Sequence, residues 1–253
     1  MKFCLIIPTR GDRPKLIERC KFQIKRQTLQ PEVTIWINDP PVPNVKDVTK
    51  RYRLGIERAT KLGYDFAVFW EDDDWYHPQY LEWLINGWNS NGKPDLFGVG
   101  ETYYYNINVD GKKHMKHTNR TSAFCTMVKL PFKGTWPADN YPYLDLHLAK
   151  KHKVVTQGFT DKIYAIGIKH GIGMSGGGGH RESFKWDSIG QTSKDWLKNH
   201  LSVDDLKFYD SIKGKREINE ERTIQPKINK NIRSNPVSQF QPRSRKIVKI
   251  RKR

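Results

Sequence analysis

Phe66-Ala67-Val68-Phe69-Trp70-Glu71-Asp72-Asp73-Asp74-Trp75-Tyr76-His77-Pro78-Gln79-Tyr80-Leu81-Glu82 is the stretch on which the fold turns. Its first five residues form an unbroken apolar run, as expected of a strand buried on both faces. Four carboxylates follow at once. Like charges repel, and a solvated acidic turn, the plainer alternative, would manage with one or two. The run therefore points to a bound cation at the end of a strand, where ligands sit in open α/β sheets. Hard divalent ions prefer carboxylate oxygens and are often shared with phosphates. In an extended, exposed segment alternate side chains share a face, which would pair Glu71 with Asp73 and Asp72 with Asp74. Beyond the acids, Pro78 opens a helix carrying Leu81, Leu84, Ile85 and Trp88.

Two similar strand-and-helix units precede this one. Phe3–Ile7 is an apolar run ending at Pro8, followed by Thr9-Arg10-Gly11-Asp12 and a helix from Pro14 with Leu16, Ile17, Cys20 and Ile24 as its stripe. Val33–Ile37 is a β-branched run stopped by Asn38-Asp39-Pro40-Pro41, and a helix over Val45 to Leu62 turns Val48, Tyr52, Ile56 and Ala59 inward. Strands alternating with helices over short links predict an α/β fold with a mixed, mostly parallel central sheet flanked by helices. Later, Leu96–Val99, Tyr103–Val109, Lys113–His117 and Ala123–Val128 read as short strands, with Asp110-Gly111 as a tight hairpin turn. A helix around Leu144 to His152, strands at Val154–Thr156 and Lys162–Ile168, a glycine-rich loop over Gly171 to Gly179, and two helices within Lys194 to Ile212 complete the body.

Composition bounds the rest. The 253 residues carry a formal net charge of +18, and Pro226 to Arg253 holds ten Lys or Arg and no acid. Residues 1–212 are expected to form the folded domain and 213–253 a basic, flexible tail. Such a charge favours a polyanionic partner: nucleic acid, an anionic membrane surface or an acidic polymer. The plainer reading is a solvated tail. No run reaches the roughly 18 apolar residues of a membrane span, and Phe3–Ile7 is too short for a signal-peptide core. The chain is expected to be cytoplasmic, with Cys4, Cys20 and Cys125 as buried thiols.

The acidic stretch, together with Ile6-Ile7-Pro8-Thr9 and Arg13-Pro14, and with Ile35-Trp36-Ile37-Asn38-Asp39 ending the second strand, resembles the family 2 glycosyltransferases of the GT-A fold. The likeness covers roughly the first 90 residues, loosens toward Ile168 and omits the tail. It implies that Pro8, Thr9 and Arg10 border a nucleotide, with Asn38 or Asp39 facing its base, usually uracil. Glu71, in the place of the signature's first acid, would approach the ribose, with Asp72 beside it. Asp73 matches the metal-binding acid, with Glu71 and the late His170 as further Mn²⁺ or Mg²⁺ ligands. Inverting transfer needs a base for the acceptor hydroxyl. Asp145, in a segment similar to the family's acid-bearing helix start, takes that place; Asp139 is the alternative, and a plain helix cap the simpler reading.

The run from Gly171 to Arg181 suits either a lid over phosphates, with His180 and Arg181 offering charge to the diphosphate, or a plain linker. The implied activity is transfer from a nucleotide sugar, a UDP-sugar first, to a hydroxyl. The preferred acceptor is a hydroxylated base in DNA, as in a virus-type DNA-modifying member, with a cell-surface or lipid-linked glycan as the alternative. A pyrophosphorylase would need a glycine-rich loop after the first strand, and a metal nuclease would not need the pattern at Asn38 and Asp39. No serine elbow or phosphate-binding P-loop appears. A catalytically silent nucleic-acid-binding protein of the same fold is the reading from another class.

Overall fold

The computed structural model describes residues 1–42, 45–117, 119–160, 162–171 and 191–214. His180, Arg181, nearly all of the glycine-rich run and the basic tail lie outside the described residues. Strand β1 (Phe3–Pro8) is buried at all six positions, which is why its sequence is continuous rather than alternating. It pairs in parallel with β2 (Val33–Ile37) on one side and β3 (Phe66–Phe69) on the other. Helix α1 (Pro14–Lys25) lies between β1 and β2 in the chain, and α2 (Val48–Lys61) between β2 and β3. Gly55 lets α2 approach β1 closely: a Cβ there would stand 2.3 Å from Ile6 Cγ2.

The acidic residues leave β3 in a compact turn, not an extended segment, and the chain re-enters a sheet at once as β4 (Trp75–Tyr76). Helix α3 (Tyr80–Ser90) starts two residues after Pro78, because the Tyr80 and Gln79 amides first bond to the carbonyl and ring of His77. Next come β5 (Leu96–Val99), β6 (Glu101–Asn106) and β7 (Gly111–Lys116). The β6–β7 hairpin closes over four residues rather than two. Ile107 turns into the core, and Asp110 takes φ 49° with its carboxylate held by Lys213 and Lys194.

The expected strand over Ala123–Val128 divides. Ala123–Cys125 is a 3₁₀ turn, closed by bonds from the Cys125 amide and the Thr126 hydroxyl to the Ser122 carbonyl, and only Thr126–Lys129 forms β8. Helix α4 (Leu144–Lys151), β9 (Val155–Gln157), β10 (Ala165–Lys169), α5 (Gln191–Lys198) and α6 (Val203–Ile212) complete the described elements.

Two sheets result. The six-stranded one has the order β2-β1-β3-β8-β5-β9, with β8 antiparallel to its neighbours, so the mixed, mostly parallel α/β expectation is met. The four-stranded one has the order β4-β10-β6-β7. The three cysteines are buried and unpaired. Among the described residues no helix is long and apolar enough to cross a membrane.

Helix α6 is fastened beneath the acidic turn by Asp205, which is 1% exposed. Its carboxylate accepts from Arg19, from Arg26 at 2.8 Å and from the Trp75 indole at 3.0 Å, and Ser202 closes the group. Asp205→Ala strands two arginines against the core, a defect worth about 3–5 kcal/mol when a buried pair loses one partner. Thermal unfolding of the variant is expected to begin well below wild type. An unchanged midpoint would show that α6 is held by its apolar contacts alone.

Candidate active site

β1, β2 and β3 run in parallel, so Pro8, Ile37 and Phe69 end on one edge, and the acidic turn stands there. The backbone of the turn is held from both sides. β10 pairs with β4 through Ala165–Tyr76 and Ile166–Trp75. From the other side α1 and the residues just after it offer side-chain amides in place of a strand. Gln23 donates to the Asp74 carbonyl and accepts from the Tyr76 amide, both at 2.8 Å, while Gln27 donates to the His77 carbonyl and accepts from the Leu81 amide.

The four carboxylates diverge from this frame, and the structure corrects their expected exposure. Asp72, Asp73 and Asp74 are 2%, 8% and 0% exposed. Asp72 turns toward the β1–α1 loop, accepting from Thr9 Oγ1 at 2.6 Å and from Arg13 Nη2 at 2.5 Å. Asp73 receives Arg13 Nη1 at 2.9 Å and lies 3.0 Å from His170 Nε2. Asp74 accepts from the Ile168 amide at 2.7 Å through Oδ1, and its buried Oδ2 has no hydrogen-bond partner among the described residues. Glu71 accepts from the Tyr52 hydroxyl at 3.2 Å. The expected pairing by alternation is therefore replaced. Glu71, Asp73 and Asp74 bring oxygens within 4.8 Å of one another, while Asp72 serves the loop.

Two cations buried with them had no site role assigned from the sequence: Arg13, read there only as part of a motif, and Lys169. Lys169 ends β10, and the attraction of Asp74, Glu71 and Asp73 outweighs burial in raising its pKa. With every carboxylate counted as ionised, Arg13 and Lys169 against four acids leave a formal excess of two negative charges, and burial opposes that excess. The consequences follow residue by residue. Burial, reinforced by Asp73, raises the Glu71 carboxyl to about 7 against the opposing pull of Lys169. Burial raises Asp74 likewise. Burial would raise Asp73 too, but Arg13 and His170 prevail and hold it well below the ordinary carboxylate range. Three oxygen donors, an excess of two negative charges and an unpartnered buried Asp74 oxygen together fit a divalent Mg²⁺ or Mn²⁺ ion. His170 contacts this group through Asp73 and stands outside the cluster of three.

A cavity of about 150 Å³ opens beside the turn, lined by Pro8, Arg10, Glu71, Asp72, Asp73 and Asp145 among others. That is room for the phosphate end of a nucleotide, below the ~300 Å³ of a whole-ligand pocket. Arg51, 4% exposed, shapes its rim by donating to the Thr9 and Ile37 carbonyls at 2.7 and 3.1 Å, tying the ends of β1 and β2 together. Gly11, at φ 76°, continues that junction; a Cβ there would meet the Asn38 carbonyl at 3.2 Å.

Not every expected residue gathers here. Thr9 backs the turn through Asp72. Asn38 is exposed, and Asp39 lines a separate cleft with Asp139. Asp139 is bound by Arg53 Nε and Nη2, each at 3.0 Å, and those hydrogen bonds hold its pKa down. Asp145, in the first turn of α4, is raised chiefly by burial, with Arg120 opposing. A general base gains proton affinity from such a rise.

Divalent binding has a pH signature. Because the folded-state pKa of Glu71 lies above its ordinary value, its contribution to stability is present at acid pH and lost as pH rises through about 7. A bound cation removes that loss. The rise in melting temperature on adding Mn²⁺ is therefore expected to grow from pH 5.5 to pH 8. At one hundred times Kd the stabilisation is about 2.7 kcal/mol, and Glu71→Gln and Asp74→Asn should each abolish most of it. Equal shifts in wild type and both variants would place the ion elsewhere.

No protein-family model and no curated protein matches the chain. Among solved structures, S. aureus TarS 1-349 in complex with UDP aligns at 12% identity and a TM-score of 0.45, covering 67% of this chain and 61% of that one. TarS 1-349 in complex with UDP-GlcNAc aligns at 13% identity and 0.45, covering 67% and 59%. S. aureus TarS aligns at 12% and 0.41, covering 66% and 36%. The chain thus spans about three fifths of the TarS 1-349 fragments.

Proposed function

We propose that the chain is an inverting, metal-dependent glycosyltransferase of GT-A type that takes its sugar from a nucleoside diphosphate donor, a UDP-sugar first. The observation that carries this is the buried acidic turn at the carboxyl end of β3. Glu71, Asp73 and Asp74 converge there within 4.8 Å, beside a cavity also lined by Arg10 and Asp145. The motif resemblance at Pro8, Arg13 and Glu71 to Asp74 supports the same reading.

In this mechanism Glu71, Asp73 and Asp74 hold the divalent ion, which when bound supplies charge neutralisation to a departing diphosphate. Arg13 holds Asp72 and Asp73 in place, and Lys169 opposes the rise that burial imposes on Glu71 and Asp74. Arg10 lines the cavity on the β1 side and offers a cation to the donor phosphates. Asp145 faces the acceptor. It takes the proton from the acceptor hydroxyl as that oxygen bonds to the anomeric carbon, and the bond from that carbon to the diphosphate breaks with its electrons leaving on the nucleoside diphosphate. Entry opposite the leaving group inverts the anomeric centre.

The preferred acceptor is a hydroxylated base in DNA, supported by the ten cations and absence of acids in Pro226–Arg253. The body and the tail then divide the work, donor chemistry in one and polyanion attraction in the other.

Asp145→Asn is expected to lower transfer about 10²- to 10⁴-fold with donor affinity nearly unchanged, and Asp139→Asn to do little. The reverse pattern would exchange their roles. Sugar incorporation into hydroxymethylated DNA is expected to fall steeply with salt, roughly 10³-fold in affinity from 50 to 200 mM for about six phosphate contacts. Deleting 226–253 should flatten that slope. No incorporation into modified DNA, with transfer to a glycan acceptor instead, would overturn the DNA assignment.

A further inference from the structure

We propose that Arg120 is a positioning residue that holds the Asp145 carboxylate at the cavity, and that His117 holds Arg120. The inference rests on the reading of Asp145 as the base. Arg120 Nη1 lies 3.6 Å from Asp145 Oδ2, and its Nη2 lies 2.6 Å from His117 Nδ1. A guanidinium only donates, so Nδ1 accepts and the ring proton is fixed on Nε2. That nitrogen faces Thr102 Oγ1 at 3.2 Å and Ser122 Oγ at 3.4 Å, and Ser122 Oγ is 2.8 Å from the Tyr104 hydroxyl. Thr102 and Ser122 are 0% and 4% exposed, so this end of the chain of contacts is anchored in packed structure on β6 and before the 3₁₀ turn.

Geometry separates this role from a cap. The first-turn amides of Asp145 and Leu146 already face the carboxylate from within α4. A capping residue needs nothing more, yet a cation from a distant segment is brought to it and is itself oriented by a dedicated acceptor. The tether does not release near neutrality, because burial and then Arg120 push His117 down to about 4. The other charges lining the cavity with Asp145 are the cations Arg10, Arg13, Lys46 and Arg51 and the acids Asp47, Glu71, Asp72 and Asp73. Among the described residues, Asp145 is ion-paired with Arg120.

The test uses the full chain with Arg120→Gln, Arg120→Lys, His117→Asn and His117→Gln. One readout is independent of activity: titration of the Asp145 carboxyl by NMR with ¹³C-labelled aspartate, assigned through Asp145→Asn. Arg120→Gln should move that titration to higher pH, and Arg120→Lys should restore it. The second readout is kcat for sugar transfer. Arg120→Gln should lose about 10²-fold, the scale of a 1 Å misplacement. Arg120→Lys should recover only part of this, since one ammonium cannot serve Asp145 and His117 together.

His117→Asn keeps an acceptor near Nδ1 and should retain more activity than His117→Gln, which keeps a donor near Nε2. Should Arg120→Gln unfold, the charge-conserving Arg120→Lys and the His117 pair decide. Unchanged Asp145 titration in Arg120→Gln, or equal kcat for all four variants and wild type, would overturn the inference. A moved titration with transfer indifferent to Asp145→Asn would instead overturn the reading of Asp145 as the base, and with it the catalytic role of Arg120.

Discussion

Four carboxylates at the end of one strand, three of them buried and Glu71 half-buried, are the constraint around which this molecule is arranged. Removing a carboxylate from water is expensive unless charge and hydrogen bonds replace the solvent. Here the replacement is partial. Arg13 reaches across from the β1–α1 loop, Lys169 from the end of β10, and the Ile168 amide and Tyr52 hydroxyl supply further donors. The charge that remains is of the size a divalent ion would cancel. A structure that merely needed a solvated turn would not bury these acids, nor leave an Asp74 oxygen without a partner among the described residues.

Such a site must be rigid before any ligand arrives, and the fold supplies that rigidity from several elements. Side-chain amides of Gln23 and Gln27 hold the backbone at Asp74 and His77. Trp75, immediately after the acids, reaches Asp205 on α6, so the last described helix braces the site from beneath. Arg51 joins the ends of β1 and β2 at the opposite rim. The prospective donor side is thus built from the first third of the chain. Asp145, on the prospective acceptor side, comes from α4, and Arg120 connects it to the β6 region.

Much of the framework was legible in the sequence, and the reasons are physical. Phe3–Ile7 and Phe66–Trp70 are apolar without alternation because both faces are covered, and the stripe Leu16, Cys20, Ile24 marks α1 directly. The run Glu71 to Asp74 marked the carboxylates that converge at the strand end, and Asp145 lines the cavity beside them. What was hidden depends on partners distant in sequence. A period of two assumes an extended backbone, and the compact turn removed that basis, so Asp74 joins Glu71 and Asp73 while Asp72 turns away to Thr9 and Arg13. Arg13 stood in the Arg13-Pro14 motif without a role assigned to it, and Lys169 carried no local signature. Only the demand that buried acids find cations at neighbouring strand ends could have singled them out. Ala123–Cys125 looks like a strand by composition, but hydroxyls at Ser122 and Thr126 offered its backbone a tighter alternative.

The central claim, that the acidic turn is a divalent-cation site serving a nucleotide, is tested most directly by diffraction from crystals grown with Mn²⁺ and UDP, using the anomalous signal of manganese. The account predicts a manganese peak bounded by Glu71, Asp73 and Asp74, with the diphosphate oxygens of UDP on its open side toward Arg10. A peak at another group of residues, or bound UDP with the acidic turn still holding Arg13 and Lys169 alone, would contradict it.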